Sequence, residues 1–215
     1  MKIWPSIAAA LALLLALTLA RDARAQDARA FIQETIEEVF VILKDKSVPS
    51  PKKIHELEEI AYARFDFDAM ARLVLAKNWS KLTPEQQKEF VQEFKRHLSV
   101  TYGKNIESYG NEKIEITGDR AEARGDWTVK TKVLRQGEEF LVDYRLRKLD
   151  AQWKIIDVVI ERVSLVANFR SQLQDVVTNK GADGMLRMLR EKNASGQSIL
   201  PDGGKVSPGA AGQGS

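Results

Sequence analysis

The sequence of 215 residues predicts an α+β fold in which helices pack on one face of a curved antiparallel sheet of about four strands. Apolar residues recur at the helical spacings of three and four over residues 27–106. Over residues 113–160 they alternate with polar residues, as in strands with one face buried and the other in water. After Ser164 the spacing becomes helical again. Helices, then strands, then helices is the element order of an antiparallel sheet covered on one side.

The N-terminal 25 residues have the pattern of a secretory signal peptide. Lys2 precedes an apolar run over residues 7–20, and Ala23-Arg24-Ala25 supplies small residues at a cleavage site. The run is short for a transmembrane helix, which favours a cleaved signal over an uncleaved anchor. We therefore expect a signal peptide at 1–25, a folded domain at 26–193, and a flexible low-complexity tail at 194–215 that is rich in Gly, Ser, Ala and Pro.

The charge balance argues against a nucleic-acid partner. Lys and Arg total 33 and Asp and Glu total 30, which gives a net charge of +3. Residues 1–25 carry Lys2, Arg21 and Arg24 against Asp22, so +2 of that charge leaves with the signal and the mature chain is near neutral. Nucleic-acid binding calls for a clustered basic surface. The chain has no Cys, so its stability must come from an ordinary core.

Four helices are expected before the first strand. The first covers residues 27–44, and the second follows Pro51 with Ser50 as a possible cap. Asp66 can cap the third. Residues 83–86 form a capping box that starts the longest helix, whose inward stripe comprises Phe90, Val91, Phe94, Leu98, Tyr102 and Ile106.

The strand region contains its own turn signals. Gly118-Asp119 predicts a turn, and Gly125 in the middle of the following strand predicts a bend or bulge. Strands over 140–146 and 153–160 are expected to form a hairpin that continues into a helix capped by Ser164. We expect Gly181 to end that helix before a short final one. A bent sheet covered by helices can enclose a space.

No catalytic or metal-binding motif stands out. His55 and His97 have no His or Cys at ligand spacing, and His97 is expected at a helix surface or boundary. The sequence contains no Cys nucleophile, G-x-S-x-G elbow, P-loop or G-x-G-x-x-G motif. Asp157 is the one acid on an otherwise apolar strand. We interpret it as a structural residue, hydrogen-bonded or paired with Arg162 or Arg170, with a general base as the alternative.

The sequence resembles the MlaC family of periplasmic phospholipid-binding proteins, also called the toluene-tolerance auxiliary component of an ABC transporter. The similarity follows the order and spacing of several segments. In this sequence they read FDFDAMAR at 65–72, Trp79 followed by LTPEQ at 82–86, Phe90 and Phe94, Thr101-Tyr102, Tyr144-Arg145-Leu146, WKIIDVVIE at 153–161 and VSLVANFRSQ at 163–172. Arg162 stands where the family usually has Gly, which alters a turn. Residues after 193 lie outside the resemblance.

This resemblance implies an NTF2-like α+β fold with an apolar cavity between sheet and helices that holds lipid acyl chains. It implies a periplasmic lipid carrier. We further expect a monomer that binds no cofactor, metal or nucleic acid. Its implied partners are an inner-membrane ABC transporter with an MCE-type subunit and an outer-membrane lipoprotein complex. A related branch is associated with hopanoids, so the lipid class stays open.

The cavity lining is predicted from the inward faces of the elements, where core packing is the alternative role for each side chain. The predicted set comprises Leu98, Tyr102, Trp127, Val129, Val142, Tyr144, Ile155, Leu165, Phe169 and Leu173. Two other functions stay open. One is an isomerase or dehydratase on the same fold that uses Asp157 and Tyr144, and the other is an interaction module with a filled core.

Overall fold

The computed structural model describes residues 4–103, 112–135 and 137–200, with side chains from residue 22 onward. Its five helices and five strands follow the expected order. The helices are α1 (Trp4–Lys44), α2 (Ser50–Arg64), α3 (Phe67–Leu75), α4 (Pro84–Tyr102) and α5 (Leu165–Ala194). The strands are β1 (Lys113–Ala121), β2 (Trp127–Arg135), β3 (Glu138–Leu149), β4 (Gln152–Ile160) and β5 (Val163–Ser164).

The sheet confirms the predicted fold class. Its order is β1-β2-β3-β4-β5, and every neighbouring pair is antiparallel. The strand beyond the expected four is β5, which has only two residues and leads directly into α5. The α+β interpretation therefore holds, with helices before and after a meandering sheet.

Three predicted helix caps are confirmed. The Asp66 carboxylate accepts a hydrogen bond from the Ala69 amide at 2.8 Å. Thr83 and Gln86 form both bonds of the capping box, at 2.9 and 3.2 Å. The Ser164 hydroxyl accepts from the Ala167 amide at 3.0 Å, which fixes the start of α5.

The predicted turn at Gly118-Asp119 is wrong. Strand β1 continues through Gly118, and its register with β2 shifts between Ile116 and Gly118. The chain turns instead at Arg124 and Gly125, whose φ angles are 61° and 80°. A bulge shifts the alternation of apolar and polar residues by one position. One bulged strand can therefore have the sequence pattern of two strands joined by a turn.

Helix α1 ends at Lys44 as predicted, but it begins at Trp4 rather than near residue 27. Residues 6–44 contain neither Gly nor Pro, and the Ala- and Leu-rich run has high helix propensity. The signal-peptide prediction concerns residues 1–25, and most of their side chains lie outside the described part of the chain. Among the described residues, no helix combines the length and apolarity needed to cross a membrane.

The core consists of two clusters of buried side chains. The helical cluster joins α3, α4 and α5 and includes Phe90, Phe94 and Phe169. The sheet cluster joins the strands to α1 and includes residues such as Trp127 and Ile32. Two half-buried residues, Phe65 and Leu165, pack against both clusters and mark the junction between them.

The C-terminal segment packs further than the sequence predicts. Gly181 has φ 69° and ψ −177° and interrupts α5, so the expected end of the first part of that helix is confirmed. Residues 195–200 belong to the predicted tail, yet Leu200 is only 4% exposed and packs in the helical cluster. The rest of the tail, residues 201–215, lies outside the described residues.

Candidate functional site

An apolar cavity of about 260 Å³ lies at the junction of the two clusters. Helix α2 forms one wall, α3 and α4 form a second, and β4 with the start of α5 closes it. The lining residues are Ile54, Leu57, Glu58, Ala61, Tyr62, Phe65, Phe67, Met70, Lys95, Leu98, Ser99, Tyr102, Gly103, Val158 and Leu165. Both junction residues are among them, so the cavity fills the space that the two clusters leave between them.

The cavity exists because α2 packs loosely on the body of the domain. Within α2 only Lys53 is buried, and its ammonium donates to the Leu43 carbonyl at the end of α1. The apolar face of α2, with Ile54, Leu57 and Ala61 at helical spacing, borders the cavity, and of these three residues only Ala61 also packs against the helical cluster. At the other end of α2, the backbone of Phe65 forms an isolated parallel β-bridge with Ile155. The Asp66 amide donates to the Ile155 carbonyl at 2.9 Å.

Four polar side chains form one edge of the cavity, which we call the rim: Glu58 and Tyr62 on α2, and Lys95 and Ser99 on α4. The Ser99 hydroxyl donates a hydrogen bond to the Glu58 carboxylate. The Lys95 ammonium lies 4.6 Å from the centroid of the Tyr62 ring. Tyr62 is 41% exposed, so the rim faces water while the lining behind it is apolar.

The tyrosines of the cavity stay neutral at physiological pH. Burial raises the pKa of Tyr102 far above its usual value. Burial also raises the pKa of Tyr62, and the nearby carboxylates Glu58 and Glu59 act in the same direction. The apolar space is therefore bordered by uncharged rings, with charge only at the rim.

Three of the ten residues predicted to line a cavity border this one: Leu98, Tyr102 and Leu165. The other seven lie in the two clusters around it. Phe169 and Leu173 are buried in the helical cluster, and in the sheet cluster Trp127, Val129 and Ile155 are buried while Val142 and Tyr144 are half-buried. The assignment of the ten residues as lipid contacts stays a prediction.

Sequence reasoning missed most of the α2 wall and the inward position of Val158. The stripe containing Ile54 and Leu57 was visible, but a stripe does not show whether it meets a core or a cavity. Val158 was missed because the β3–β4 register shifts between Arg145 and Leu146 and leaves Ile156 without a partner in β3. That bulge brings Val158 onto the same face as Ile155, against simple alternation.

Asp157 has a structural role in the described fold. It is 2% exposed, and its Oδ2 accepts from the Ser164 hydroxyl at 2.6 Å while its Oδ1 accepts from the Val166 amide at 3.1 Å. The suggested pairing with Arg162 or Arg170 is wrong. Arg170 donates to the Leu73 carbonyl instead. Asp157 takes part in none of the ion pairs found among the described residues. The carboxylate thus holds the first turn of α5.

The position predicted for His97 is also wrong. The imidazole is fully buried rather than at a surface or boundary. Its Nδ1 lies 2.7 Å from the Asn193 Oδ1, and its Nε2 accepts from the Ile199 amide at 3.0 Å. His97 thereby attaches residues 198–200 to α4. Among the described residues, no group of three or more His, Cys, Asp or Glu side chains could hold a metal ion.

Comparison with known proteins gives one consistent result. The family model described as MlaC protein matches residues 33–191. A toluene tolerance protein from Pseudomonas putida, ttg2D, is 28% identical over 165 residues, which cover 74% of this chain and 77% of the relative. A phospholipid-binding protein from Ralstonia solanacearum, solved in complex with a phospholipid, superposes with a TM-score of 0.73 at 27% identity, covering 79% of this chain and 98% of that one. The chain belongs to the MlaC family.

Proposed function

We propose that this protein is a non-enzymatic phospholipid carrier that holds acyl chains in the cavity between α2 and the rest of the domain. The observation that carries the proposal is an apolar cavity bordered on one side by a charged rim, because this arrangement matches the two chemistries of a lipid. The phospholipid bound to the Ralstonia relative supports the ligand class.

The size of the cavity determines how a lipid must bind. About 260 Å³ is below the 300–1,000 Å³ typical of small-molecule pockets. A phospholipid with two acyl chains therefore requires a wider cavity than the one described. We propose that α2 moves outward, because it has the fewest buried side chains of the cavity walls.

The predicted lining residues fall into two groups, according to when a widening cavity would bring them into contact with acyl chains. We propose that Leu98, Tyr102 and Leu165 contact acyl chains from the start of loading. Further opening at the junction would bring the chains to the sheet side (Trp127, Val129, Val142, Tyr144 and Ile155) and to Phe169 and Leu173 of α5.

The strength of such binding supports release at membrane partners rather than into water. At about 0.8 kcal/mol for each buried CH₂, two chains of about fifteen methylenes gain roughly 24 kcal/mol before ordering costs. The practical ceiling of non-covalent affinity is about 18–21 kcal/mol. Spontaneous release into water would be very slow, so we propose that membrane partners open the carrier. We assign these roles to an inner-membrane ABC transporter with its MCE-type subunit and to an outer-membrane lipoprotein complex.

We further propose that the protein works in the periplasm as a monomer after removal of residues 1–25. The signal-peptide pattern at Ala23-Arg24-Ala25 supports export. The alternative of an isomerase or dehydratase has no geometric support, because both Asp157 oxygens bind the start of α5 and Asp157 does not border the cavity. The Tyr144 hydroxyl is a poor acid as well, since burial raises its pKa to about 12.

The test is mass spectrometry of lipid extracted from freshly purified mature protein. We expect phospholipid in a ratio of about one per chain, in keeping with a carrier that releases its ligand slowly. Protein purified without any lipid would support the interaction module and contradict the carrier. A hopanoid in place of phospholipid would retain the carrier and overturn the lipid class.

A further inference from the structure

The rim carries two opposite charges that no residue of the described chain neutralises. Lys95 lies on α4 and Glu58 on α2, and both border the cavity. We propose that this pair forms a head-group site that selects a zwitterionic glycerophospholipid, with a phosphodiester on Lys95 and a primary ammonium on Glu58. The inference rests on the proposed carrier function, because it places the head group where the acyl chains leave the cavity.

Lys95 is held in place without losing its hydrogen-bond donors. Its ammonium lies 4.6 Å from the Tyr62 ring centroid and 5.1 Å from that of Phe67, and no carboxylate of the described residues forms an ion pair with it. Aromatic faces attract a cation through their quadrupole but accept no conventional hydrogen bonds from it. The three N–H donors of the ammonium can therefore turn toward an anionic oxygen.

Glu58 keeps acceptor capacity in the same way. Its carboxylate accepts from the Ser99 hydroxyl, and no Lys or Arg of the described residues pairs with it. A carboxylate has about four lone-pair positions on its two oxygens, so one hydroxyl donor leaves room for an ammonium. Since Glu58 has no ion pair among the described residues, the ammonium of a bound lipid would be its charged partner.

The spacing of the two charges fits one head group. Glu58 contacts Ser99 and Tyr62 contacts Lys95, so the two contacts are one helical turn apart on antiparallel helices. Four residues at 1.5 Å each separate them by about 6 Å along the helix axes. A phosphorus and a nitrogen joined by an oxygen and two carbons reach about 5 Å with bonds of about 1.5 Å.

The same arrangement disfavours an anionic head group. The phosphodiester of an anionic head group, such as that of phosphatidylglycerol, can pair with Lys95. Such a head group carries hydroxyl groups but no ammonium, so it offers no cation to Glu58. The unpaired carboxylate then repels the phosphate at short range. A zwitterionic lipid satisfies both charges, which gives the site its selectivity.

The experiment uses delipidated mature protein loaded from vesicles of equal parts phosphatidylethanolamine and phosphatidylglycerol, with bound lipid measured by mass spectrometry. We expect the wild type to enrich phosphatidylethanolamine about threefold or more over the vesicle ratio. Glu58→Gln is expected to return the ratio to that of the vesicles at similar total uptake. Lys95→Met is expected to release both lipids about five to ten times faster, and Lys95→Arg should restore retention because it keeps the cation.

The matched controls are Glu59→Gln and Lys88→Met, which change exposed charges on the same two helices. Both should load like the wild type. The inference is overturned if the wild type loads at the vesicle ratio, or if Glu58→Gln and Lys95→Met match their controls in folded, lipid-loaded protein. A wild type that takes up no lipid would overturn the carrier function itself, which is a separate outcome.

Discussion

At the scale of single residues, His97 connects parts of the chain that are distant in sequence. Its Nε2 accepts from the Ile199 amide, so that nitrogen carries no proton, and Nδ1 donates to Asn193. Asn193 in turn donates through its Nδ2 to the Glu93 carbonyl at 3.0 Å. Burial lowers the pKa of the imidazole, while the Asn193 bond acts in the opposite direction. The packing of residues 198–200 thus requires neutral His97.

This geometry predicts that acid destabilises the protein through His97. In the unfolded chain the imidazole titrates near its ordinary value of 6.5, and in the folded protein its pKa is lower. Between the two values the unfolded state binds more protons, so stability is complete above about pH 6.5 and falls as the pH decreases below it. Loss of the Ile199 bond is worth about 1 kcal/mol, or about 2–4 °C in melting temperature for a domain of this size.

Thermal melting at pH 7.5 and pH 5.5 checks this prediction. The decrease should be smaller in His97→Gln, which has no imidazole to protonate. His55→Gln is the matched control, because His55 is exposed on α2 and should leave the wild-type pH dependence unchanged. Equal decreases in the wild type and His97→Gln would contradict the assignment.

At this scale, contacts between residues close in sequence were predictable, and contacts between residues distant in sequence were not. The caps at Asp66, Thr83 and Ser164 were predictable because a cap bonds to an amide three residues away. The burial of His97 was not, because its partners lie 96 and 102 residues away along the chain. A single His on a helix gives no sign of such partners.

At the scale of elements, the loose packing of α2 leaves a cavity where tight packing would make a continuous core. Leu57 of α2 borders the cavity, whereas Val129 of β2 is fully buried in the sheet cluster. We expect Leu57→Trp to fill the cavity and lower co-purifying lipid several-fold with little change in melting temperature. Val129 is packed in the core of the closed fold, and the proposed acyl chains reach it only on further opening. Val129→Trp should therefore overpack the core at a cost of about 1–3 kcal/mol in stability.

Lipid content and melting curves measured side by side distinguish the two roles. Both variants introduce the same side chain, so a difference between them reflects the site and not the residue. If Leu57→Trp unfolded as readily as Val129→Trp, α2 would be part of a packed core. If Leu57→Trp kept full lipid content, the acyl chains would lie elsewhere.

The elements also show where pattern reasoning stops. Helix and strand order was predictable from the change of period, which reflects only which face each element buries. The bulges near Gly118 and Ile156 were not predictable, because a bulge is defined by its partner strand. Each bulge changes which alternate residues face inward, which is how Val158 of the cavity was missed.

At the scale of the whole molecule, the proposed exchange between membrane complexes requires lipid to leave the protein faster at a membrane partner than into water. We expect labelled lipid to leave the loaded protein slowly when plain acceptor vesicles are added, and much faster when the vesicles contain the inner-membrane complex. The physical reason is the large apolar area that release into water would expose. Fluorescence transfer assays with and without the reconstituted complex measure both rates. Equal rates would contradict release driven by contact with partners.

If α2 moves outward as proposed, the backbone bridge between Phe65 and Ile155 holds one end of the helix, and α2 turns about that end as a lever. Phe65 is the fulcrum, and the weak bond from Lys53 to the Leu43 carbonyl restrains the opposite end at 3.3 Å. At 1.5 Å for each residue, Glu58 is about 10 Å from the fulcrum and Ser50 about 22 Å. A rotation of about 20° would shift Glu58 by roughly 3–4 Å, as estimated from this helix rise. A force applied by a partner at the Ser50 end would act at the rim with a mechanical advantage of about two.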